Sequence, residues 1–301
     1  MAPDSTTCFA IDIGNSGLRV AEIAPESECF GKRHRISWFQ DAFSTSDATS
    51  PEHAEAMFQP GSTGWLDYLG STLRLDESAS STTIFLASVR RDATQVLKEF
   101  CREHAIALIV LDHSMLQIDV DVDRPEQVGI DRLLAATAAH CLARLGFTAG
   151  AKEKPKGGYC IAVQAGSAVT VDLVRFNADT AQFQGGAIMP GIPMMLKMLG
   201  QGADQLPQIQ SAGLVGKLTA PGKNTEAAMR AGACAAVAGG LKELVSKYRQ
   251  DLAAEGEQFV PVIISGGDGR LLSTHLSEPV QTHPDLVLQG LVLFAKDYRA
   301  K

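Results

Sequence analysis

The stretch that decides the fold lies near the start of the chain and reads Phe9-Ala10-Ile11-Asp12-Ile13-Gly14-Asn15-Ser16-Gly17-Leu18-Arg19-Val20-Ala21-Glu22-Ile23. Apolar residues lead to a single carboxylate, a Gly-Asn-Ser-Gly turn follows, and the apolar residues beyond it nearly alternate, which predicts a β-hairpin. Glycines let backbone N–H groups approach an anion closely, and Asn15 and Ser16 offer short polar side chains to phosphate oxygens. Either this hairpin binds phosphate, with Asp12 holding a metal ion nearby, or Asn-Ser-Gly is only turn chemistry.

Composition narrows the class of protein. The chain has 301 residues, 45% of them hydrophobic, which suits two domains without excluding one. A net charge of −7 gives no general attraction to nucleic acid or an anionic membrane. Residues 1–7 carry no basic region and the apolar run after them is interrupted at Asp12, so we expect neither a signal peptide nor a membrane span but a cytoplasmic protein. The six cysteines and seven histidines form no zinc motif.

Patterns in the rest of the first half indicate α/β structure. A further strand is predicted over 32–39, and a strand, a helix and a strand over 83–89, 92–104 and 106–111 form a βαβ unit with parallel strands. Residues 41–50 are typical of a polar loop, and 51–80 are weakly patterned.

A second candidate site precedes the next predicted helix. The segment Gly129-Ile130-Asp131-Arg132 stands at the start of a helix with a packed apolar face running to Leu145. A carboxylate there is a candidate base for removing an alcohol proton, and Arg132 is a candidate clamp for a substrate carboxylate. The alternative is ordinary helix capping by Asp131 with an arginine salt bridge.

The second half of the chain repeats the first. Residues 161–171, which include Gln164, Gly166 and Ser167, overlay residues 9–19 without a gap, at an offset of 164 − 12 = 152 positions. Two such hairpins half a chain apart predict duplicated domains that grip a phosphate chain from both sides of a cleft. Chance similarity of two short hairpins is the alternative.

The remaining segments complete the predicted order of elements. Residues 146–158 are expected to form a mobile surface connection, and 184–191 a Gly/Pro-rich connection into a helix over 192–199 with Pro193 in its first turn. A helix starts at Asn224 or Thr225, a strand covers 259–264 before a glycine turn, and a helix over 286–298 closes the fold. Neither the P-loop nor the dinucleotide-binding glycine motif occurs.

These elements resemble the type III pantothenate kinases, members of the acetate and sugar kinase/Hsc70/actin superfamily. The similarity covers nearly the whole chain and rests on six short motifs in register, each weak alone. They are Asp12-Ile13-Gly14-Asn15-Ser16, Pro125-Glu126-Gln127-Val128-Gly129-Ile130-Asp131-Arg132, Gln164-Ala165-Gly166-Ser167-Ala168-Val169-Thr170, residues 185–191, Gly222-Lys223-Asn224-Thr225 and Ser265-Gly266-Gly267-Asp268.

The resemblance implies a homodimeric enzyme that phosphorylates the primary hydroxyl of pantothenate with ATP, Mg²⁺ and a monovalent cation (K⁺ or NH₄⁺), early in coenzyme A biosynthesis. It implies an α/β fold of two duplicated ribonuclease H-like domains, 1–122 and 123–301, with the site in the cleft between them. The implied ATP-binding residues are Asp12, Ile13, Gly14, Asn15, Ser16, Gly17, Leu18, Arg19 and Ser167, with Asp12 oriented to Mg²⁺. The implied pantothenate-binding residues are Gly129, Ile130, Asp131, Arg132 and Thr225, with Asp131 as proton acceptor.

The chain departs from the family pattern at two positions. Gln164 replaces an Asp that helps to hold K⁺, which puts the cation dependence in doubt, and Val122 replaces a Tyr that many members have beside the pantothenate pocket. Gln164 also motivates a rival hypothesis, a non-catalytic regulatory or binding paralogue. A different kinase or phosphohydrolase of the same superfamily is the third candidate.

Overall fold

The computed structural model describes residues 7–24, 30–38, 61–73, 82–145, 157–177, 180–209 and 221–300. Within these ranges the chain forms two β-sheets with helices between them and on their outer faces. The predicted polar loop 41–50 and most of the predicted connection 146–158 lie outside the described residues.

The first sheet begins with the predicted hairpin. Its strands are β1 (Thr7–Ile13), β2 (Gly17–Ile23), β3 (Phe30–Ser37), β4 (Thr82–Ser88) and β5 (Ala107–Val110), in the order β3-β2-β1-β4-β5. β1, β2 and β3 are antiparallel neighbours, whereas β4 runs parallel to β1 and to β5. The predicted βαβ unit is confirmed, with helix α2 (Arg91–Glu103) as its crossover.

Alternation along the strands gives this sheet two apolar faces. Phe9 and Ile11 pack outward with α2 and with helix α1 (Gly64–Leu73), while Cys8 and Ala10 face the interior of the molecule. Helix α1 lies within residues 51–80, where the weak sequence pattern predicted no helix. Its buried residues are Trp65, Leu66, Leu69 and Leu73.

The second sheet repeats the topology of the first. Its strands are β6 (Asp119–Val120), β7 (Gly158–Ala165), β8 (Ala168–Phe176), β9 (Ala181–Pro190), β10 (Val262–Ser265) and β11 (Val280–Thr282). The order β9-β8-β7-β10-β11, with β6 added beside β9, has the same pattern of antiparallel and parallel pairs as the first sheet. This confirms the α/β class with duplicated halves. The division at residue 122 stays a prediction.

The two hairpins differ by one residue in their turns. Asp12 pairs with Arg19, seven positions on (19 − 12), whereas Gln164 pairs with Thr170, six positions on (170 − 164). The predicted ungapped overlay is therefore correct along the first strand and wrong beyond the turn. The returning strand of the second hairpin comes back one residue earlier, so Ser167 has no strict counterpart.

The predicted connection 184–191 is wrong, because strand β9 runs through it. Two of its glycines, Gly185 and Gly186, are required by the way β9 packs against β8. Gly185, at φ +85°, lies in a bulge opposite β8, a left-handed conformation that glycine adopts without strain. A side chain at Gly186 would overlap Asp172 on β8. Glycine in a strand therefore marked a bulge and a close approach rather than a loop.

Two helices fill the space between the sheets. After helix α3 (Ile130–Leu145) the chain forms α4 (Ile192–Gly202), α5 (Thr225–Ala254), the short α6 (Gly269–Ser273) and the closing helix α7 (Leu286–Arg299). Helix α3 packs against α7. α3 and α7 share one apolar cluster with the inner faces of both sheets, whereas α4 and α5 cover the outer face of the second sheet. Among the described residues, no helix combines the length and apolar content that a bilayer-spanning segment needs.

The contact between α3 and α7 predicts a selective effect of adding one methyl group. A Cβ at Gly290 of α7 would overlap the carbonyl oxygen of Leu134 on α3, so Gly290→Ala must push the helices apart. We expect it to lower the free energy of unfolding by about 1–3 kcal/mol. Gly239→Ala is the control, because Gly239 is exposed on α5 with open space around its Cβ position. That change should raise stability by about 0.5–1 kcal/mol. Urea unfolding of both variants measures this, and effects of the same sign would contradict it.

Candidate active site

The first hairpin turn is held from behind by a buried tryptophan. The Gly14 N–H donates to the carbonyl oxygen of Gly17 at 2.9 Å, which closes the turn. The indole N–H of Trp38 donates to the Gly14 carbonyl oxygen at 2.9 Å, and its backbone N–H donates to that of Ser16 at 3.1 Å. The backbone carbonyls of Gly14, Ser16 and Gly17 thus accept hydrogen bonds, while the side chain of Asn15 is exposed.

Asp12 is buried directly below this turn and paired with an arginine. It is 1% exposed, and Nη2 of Arg19, its cross-strand neighbour, donates to its Oδ2. Burial raises the pKa of Asp12 to about 6; Arg19 opposes that shift, and the charges of Asp285 and Asp131 add to it. Arg19 also pairs with a second carboxylate, its Nη1 lying 3.1 Å from Oδ2 of Asp285. One guanidinium therefore bridges two buried carboxylates.

Two segments, one after β9 and one after β10, hydrogen-bond to the second hairpin turn, and both contain motif glycines. The Gly191 N–H donates to the carbonyl oxygen of Ser167 at 2.9 Å, and the Asp268 N–H donates to that of Ala165 at 3.2 Å. Side chains at Gly191 and Gly266 would overlap the backbone of this turn, and Gly266 has φ +96°. These glycines let the segments after β9 and β10 lie directly on the turn.

The two turns face each other across a small cavity. Ser16 of the first turn and Ser167 of the second both line it, and its volume is about 40 Å³. The other lining residues are Arg35, Gly166, Pro193, Gly267 and Asp268. Burial raises the pKa of Asp268 to about 6, and the charge of Arg35 opposes that shift. The cavity therefore combines hydroxyl groups from both halves of the chain with one cation and one carboxyl group.

Asp131 lies where the two sheets approach each other. It is in the first turn of α3, and its Oδ1 accepts a hydrogen bond from the Arg132 N–H at 2.9 Å. Its charge raises the pKa of Asp12 in the first sheet and also that of Asp172 in the second. A side chain at Gly129 would overlap this carboxylate, which explains the glycine two residues before it.

Arg132 is anchored to the second sheet. Its Nε donates to Oδ1 of Asp172 at 3.1 Å, and its Nη2 donates to the same oxygen. The guanidinium carbon lies 5.1 Å from the ring centroid of Phe183, a cation–π contact. Asp172 is wholly buried, and burial raises its pKa to about 6 against the opposing effect of Arg132. One edge of the guanidinium is fixed, and the side chain stays 14% exposed.

Two further predicted site residues, Gln164 and Thr225, belong to the second half of the chain. Gln164 is on β7 between Thr170 and Ser265 of the neighbouring strands, and its Nε2 has no hydrogen-bond acceptor among the described residues. Thr225 begins α5 and is exposed. Within the described chain, no hydrogen bond or ion pair joins the Thr225 side chain to the other predicted residues, so the structure does not bring it to them.

The donor set around Asp12 is compatible with Mg²⁺. In the described ranges, no three His, Cys, Asp or Glu side chains gather closely enough to enclose a metal ion. Mg²⁺ commonly binds through one or two carboxylates together with substrate phosphates rather than in an all-protein cage. The buried carboxylate of Asp12, which lies next to the first hairpin turn, fits that pattern.

Sequence reasoning missed five residues that shape this site: Arg35, Trp38, Asp172, Asp268 and Asp285. Asp268 stands in the motif Ser265-Gly266-Gly267-Asp268, whose glycines alone predict a turn. Asp172 follows two residues after the second hairpin motif, where a carboxylate in an otherwise apolar strand is a signal for a buried partner. Arg35, Trp38 and Asp285 meet the site only through tertiary packing, which no local pattern reports.

Comparison with known proteins identifies the family of the chain. The family model described as type III pantothenate kinase matches residues 8–247. A type III pantothenate kinase of Rhodopirellula baltica is 33% identical over 215 residues, which cover 69% of this chain and 70% of the relative. One from Gluconobacter oxydans is 31% identical over 292 residues, covering 95% of this chain and 92% of the relative.

Among solved structures, an inorganic polyphosphate/ATP-glucomannokinase from Arthrobacter superposes with a TM-score of 0.44 at 14% identity, covering 98% of this chain and 100% of the other. The family match covers more than half of the chain, and relatives above 30% identity span most of it. The chain belongs to the type III pantothenate kinase family.

Proposed function

We propose that this chain carries out the activity of its family, transfer of the ATP γ-phosphate to pantothenate for coenzyme A biosynthesis, between its two hairpin turns. The observation that carries the proposal is the shared cavity, which is lined by Ser16 of the first turn and Ser167 of the second. Phosphoryl transfer asks the protein mainly for positioning and charge neutralisation. Since ATP is the phosphate donor, we place the reaction in the cytoplasm.

The nucleotide phosphates would lie on the first turn, residues 12–19, with Ser167 contacting them from the opposite side. Asp12 would hold Mg²⁺, which neutralises charge on the phosphates when it is bound. Arg19 supplies a fixed positive charge at the same end of the hairpin, because two carboxylates hold its guanidinium. The buried setting strengthens these interactions relative to water.

Pantothenate would lie against the start of α3. Asp131 would accept the proton of the primary hydroxyl as its oxygen attacks the γ-phosphorus and the bond to the bridging oxygen breaks. The edge of Arg132 that Asp172 does not occupy would pair with the pantothenate carboxylate. Gly129 and Ile130 would offer backbone contacts, and Thr225 a contact from α5.

We also propose a homodimer, supported by an exposed apolar surface on the second half of the chain. Ile188 on β9 is 63% exposed, and on α4 Met194, Met198 and Leu199 are 38%, 57% and 39% exposed. Large apolar side chains clustered on neighbouring elements are typical of protein interfaces. Sedimentation equilibrium measures this state directly, and a single-chain mass at micromolar concentration would contradict it.

Three predictions concern the proposed site, and the first of them concerns the base. Asp131→Asn keeps the shape of the side chain but cannot take a proton, so turnover of pantothenate with MgATP should fall by about 10²–10⁴-fold. The Asp131→Asn variant should still bind nucleotide, as measured by calorimetry. Asp123→Asn is the matched control, since Asp123 is an exposed carboxylate shortly before the same helix, and it should retain normal turnover. A fully active Asp131→Asn variant would remove the assigned base. A wild-type chain that binds nucleotide without turnover would favour the binding paralogue.

The second prediction concerns recognition of the substrate carboxylate. Lysine keeps the charge of Arg132 but cannot hold Asp172 and a substrate carboxylate at the same time. For Arg132→Lys we expect KM for pantothenate to rise about tenfold. KM for pantothenol, in which an alcohol replaces the carboxylate, should change little. Steady-state kinetics with both acceptors decides the point, and equal losses on the two would show that Arg132 does not bind the carboxylate.

The third prediction concerns the monovalent cation. We propose that K⁺ or NH₄⁺ binds beside Gln164, held by a neutral amide oxygen where a carboxylate would attract it more strongly. Gln164→Asp should therefore lower the K⁺ concentration for half-maximal activity by about fivefold, corresponding to roughly 1 kcal/mol of added attraction. A titration of activity with KCl at constant ionic strength measures the midpoint. Identical midpoints for the two proteins would rule out a cation at this position.

A further inference from the structure

The N-cap of α7 carries a charge that capping does not need. Asp285 is 1% exposed, and its Oδ1 accepts the Leu288 N–H at 3.1 Å, which caps the helix. Its Oδ2 is buried without a hydrogen bond in the described chain. A neutral Asn or Ser caps a helix about as well as Asp, whereas a buried carboxylate is costly unless it is paired. The charge on Oδ2 therefore calls for a partner.

That partner is Arg19 of the first hairpin. Nη1 of Arg19 lies 3.1 Å from Oδ2 of Asp285, while Nη2 of the same guanidinium donates to Asp12. Arg33 of β3 also faces Oδ2, but at 3.8 Å, and its Nη1 is engaged by the Pro284 carbonyl oxygen at 2.9 Å. Asp285 and Asp12 thus hold the two ends of one guanidinium.

The two carboxylates differ in what else they do. Asp12 lies below the turn and is the proposed Mg²⁺ ligand, so its negative charge would be shared between Arg19 and the ion when Mg²⁺ is bound. Asp285 is tied to the start of α7 and keeps its position through the helix cap. An arginine held only by Asp12 would lose its anchor at the moment the nucleotide needs its charge.

We propose that Asp285 is a positioning residue that holds Arg19 toward the nucleotide phosphates while Asp12 serves the metal ion. The proposal rests on the proposed function only in taking the first hairpin as the nucleotide site. It links the start of the last helix to the first hairpin, because the cap residue Asp285 lies against Arg19 of β2.

The test is nucleotide binding by Asp285→Asn, which keeps the helix cap and removes the charge. Calorimetric titration with adenylyl imidodiphosphate and Mg²⁺, without pantothenate, should show binding weakened by about fivefold, the effect of one ion pair that is partly exposed. Arg33→Gln is the matched control and should bind as the wild type does. In the background of Arg19→Gln, adding Asp285→Asn should weaken binding no further, because the residue acts through Arg19.

Unchanged binding by Asp285→Asn, or equal weakening by Arg33→Gln, would overturn the inference. If the Asn variant does not fold, Asp285→Ser, which also caps the helix, is titrated with adenylyl imidodiphosphate and Mg²⁺. The same fivefold weakening is expected. Failure of both variants to fold would show a purely structural role and would also overturn it. A wild-type chain that binds the analogue but does not phosphorylate pantothenate would contradict the proposed function alone.

Discussion

The geometry of the site depends on the close contact of two helices between the sheets. Gly290 of α7 lies against the carbonyl oxygen of Leu134 on α3, with no room for a side chain. Both helices begin at the same edge of the molecule, α3 with Asp131 and Arg132, α7 with the cap Asp285. Their separation therefore fixes how far the predicted base lies from the first hairpin. A change in the packing at Gly290 would therefore shift the start of α3, where Asp131 and Arg132 lie, relative to the first hairpin.

Each arginine in this region is held by two partners. Arg19 of the first sheet lies between Asp12 and the α7 cap Asp285, and Arg132 of α3 is held by Asp172 of the second sheet and by the ring face of Phe183. Each buried carboxylate is compensated by a guanidinium that keeps part of its surface accessible. Such an arrangement holds positive charge in place for anionic ligands without leaving a carboxylate unpaired.

The sequence was sufficient to predict the local elements and the duplication. Alternation and turn glycines identified both hairpins, and helical spacing identified α2, α3 and α7 with nearly correct ends. The sequence failed to predict β9 because glycine is common both in loops and at strand bulges. The glycines of β9 accommodate a bulge and the buried Asp172, and both features depend on the neighbouring strand β8. The short helix α1 was missed because ten residues give a weak periodic signal.

Pairs of charges were the least predictable part of the candidate site. Asp285 reads as an ordinary helix cap, which it is, and nothing nearby in sequence points to Arg19 or to the first hairpin. The ion pair between Asp285 and Arg19 forms because the closing helix returns to the first sheet. Conversely, the Asp131 and Arg132 motif was visible because both residues lie together at a helix start.

The return of α7 to the first sheet has a consequence for the order in which the protein can fold. Cys8, Ala10 and Phe85 on the inner face of that sheet are covered by a helix at residues 286–299. While the ribosome is still making the second sheet, this face has no partner from α7 and is exposed to other chains. Contacts so distant in sequence form late and slowly. The first hairpin is among the first pieces synthesised, and the inner face of its sheet is among the last surfaces to be covered.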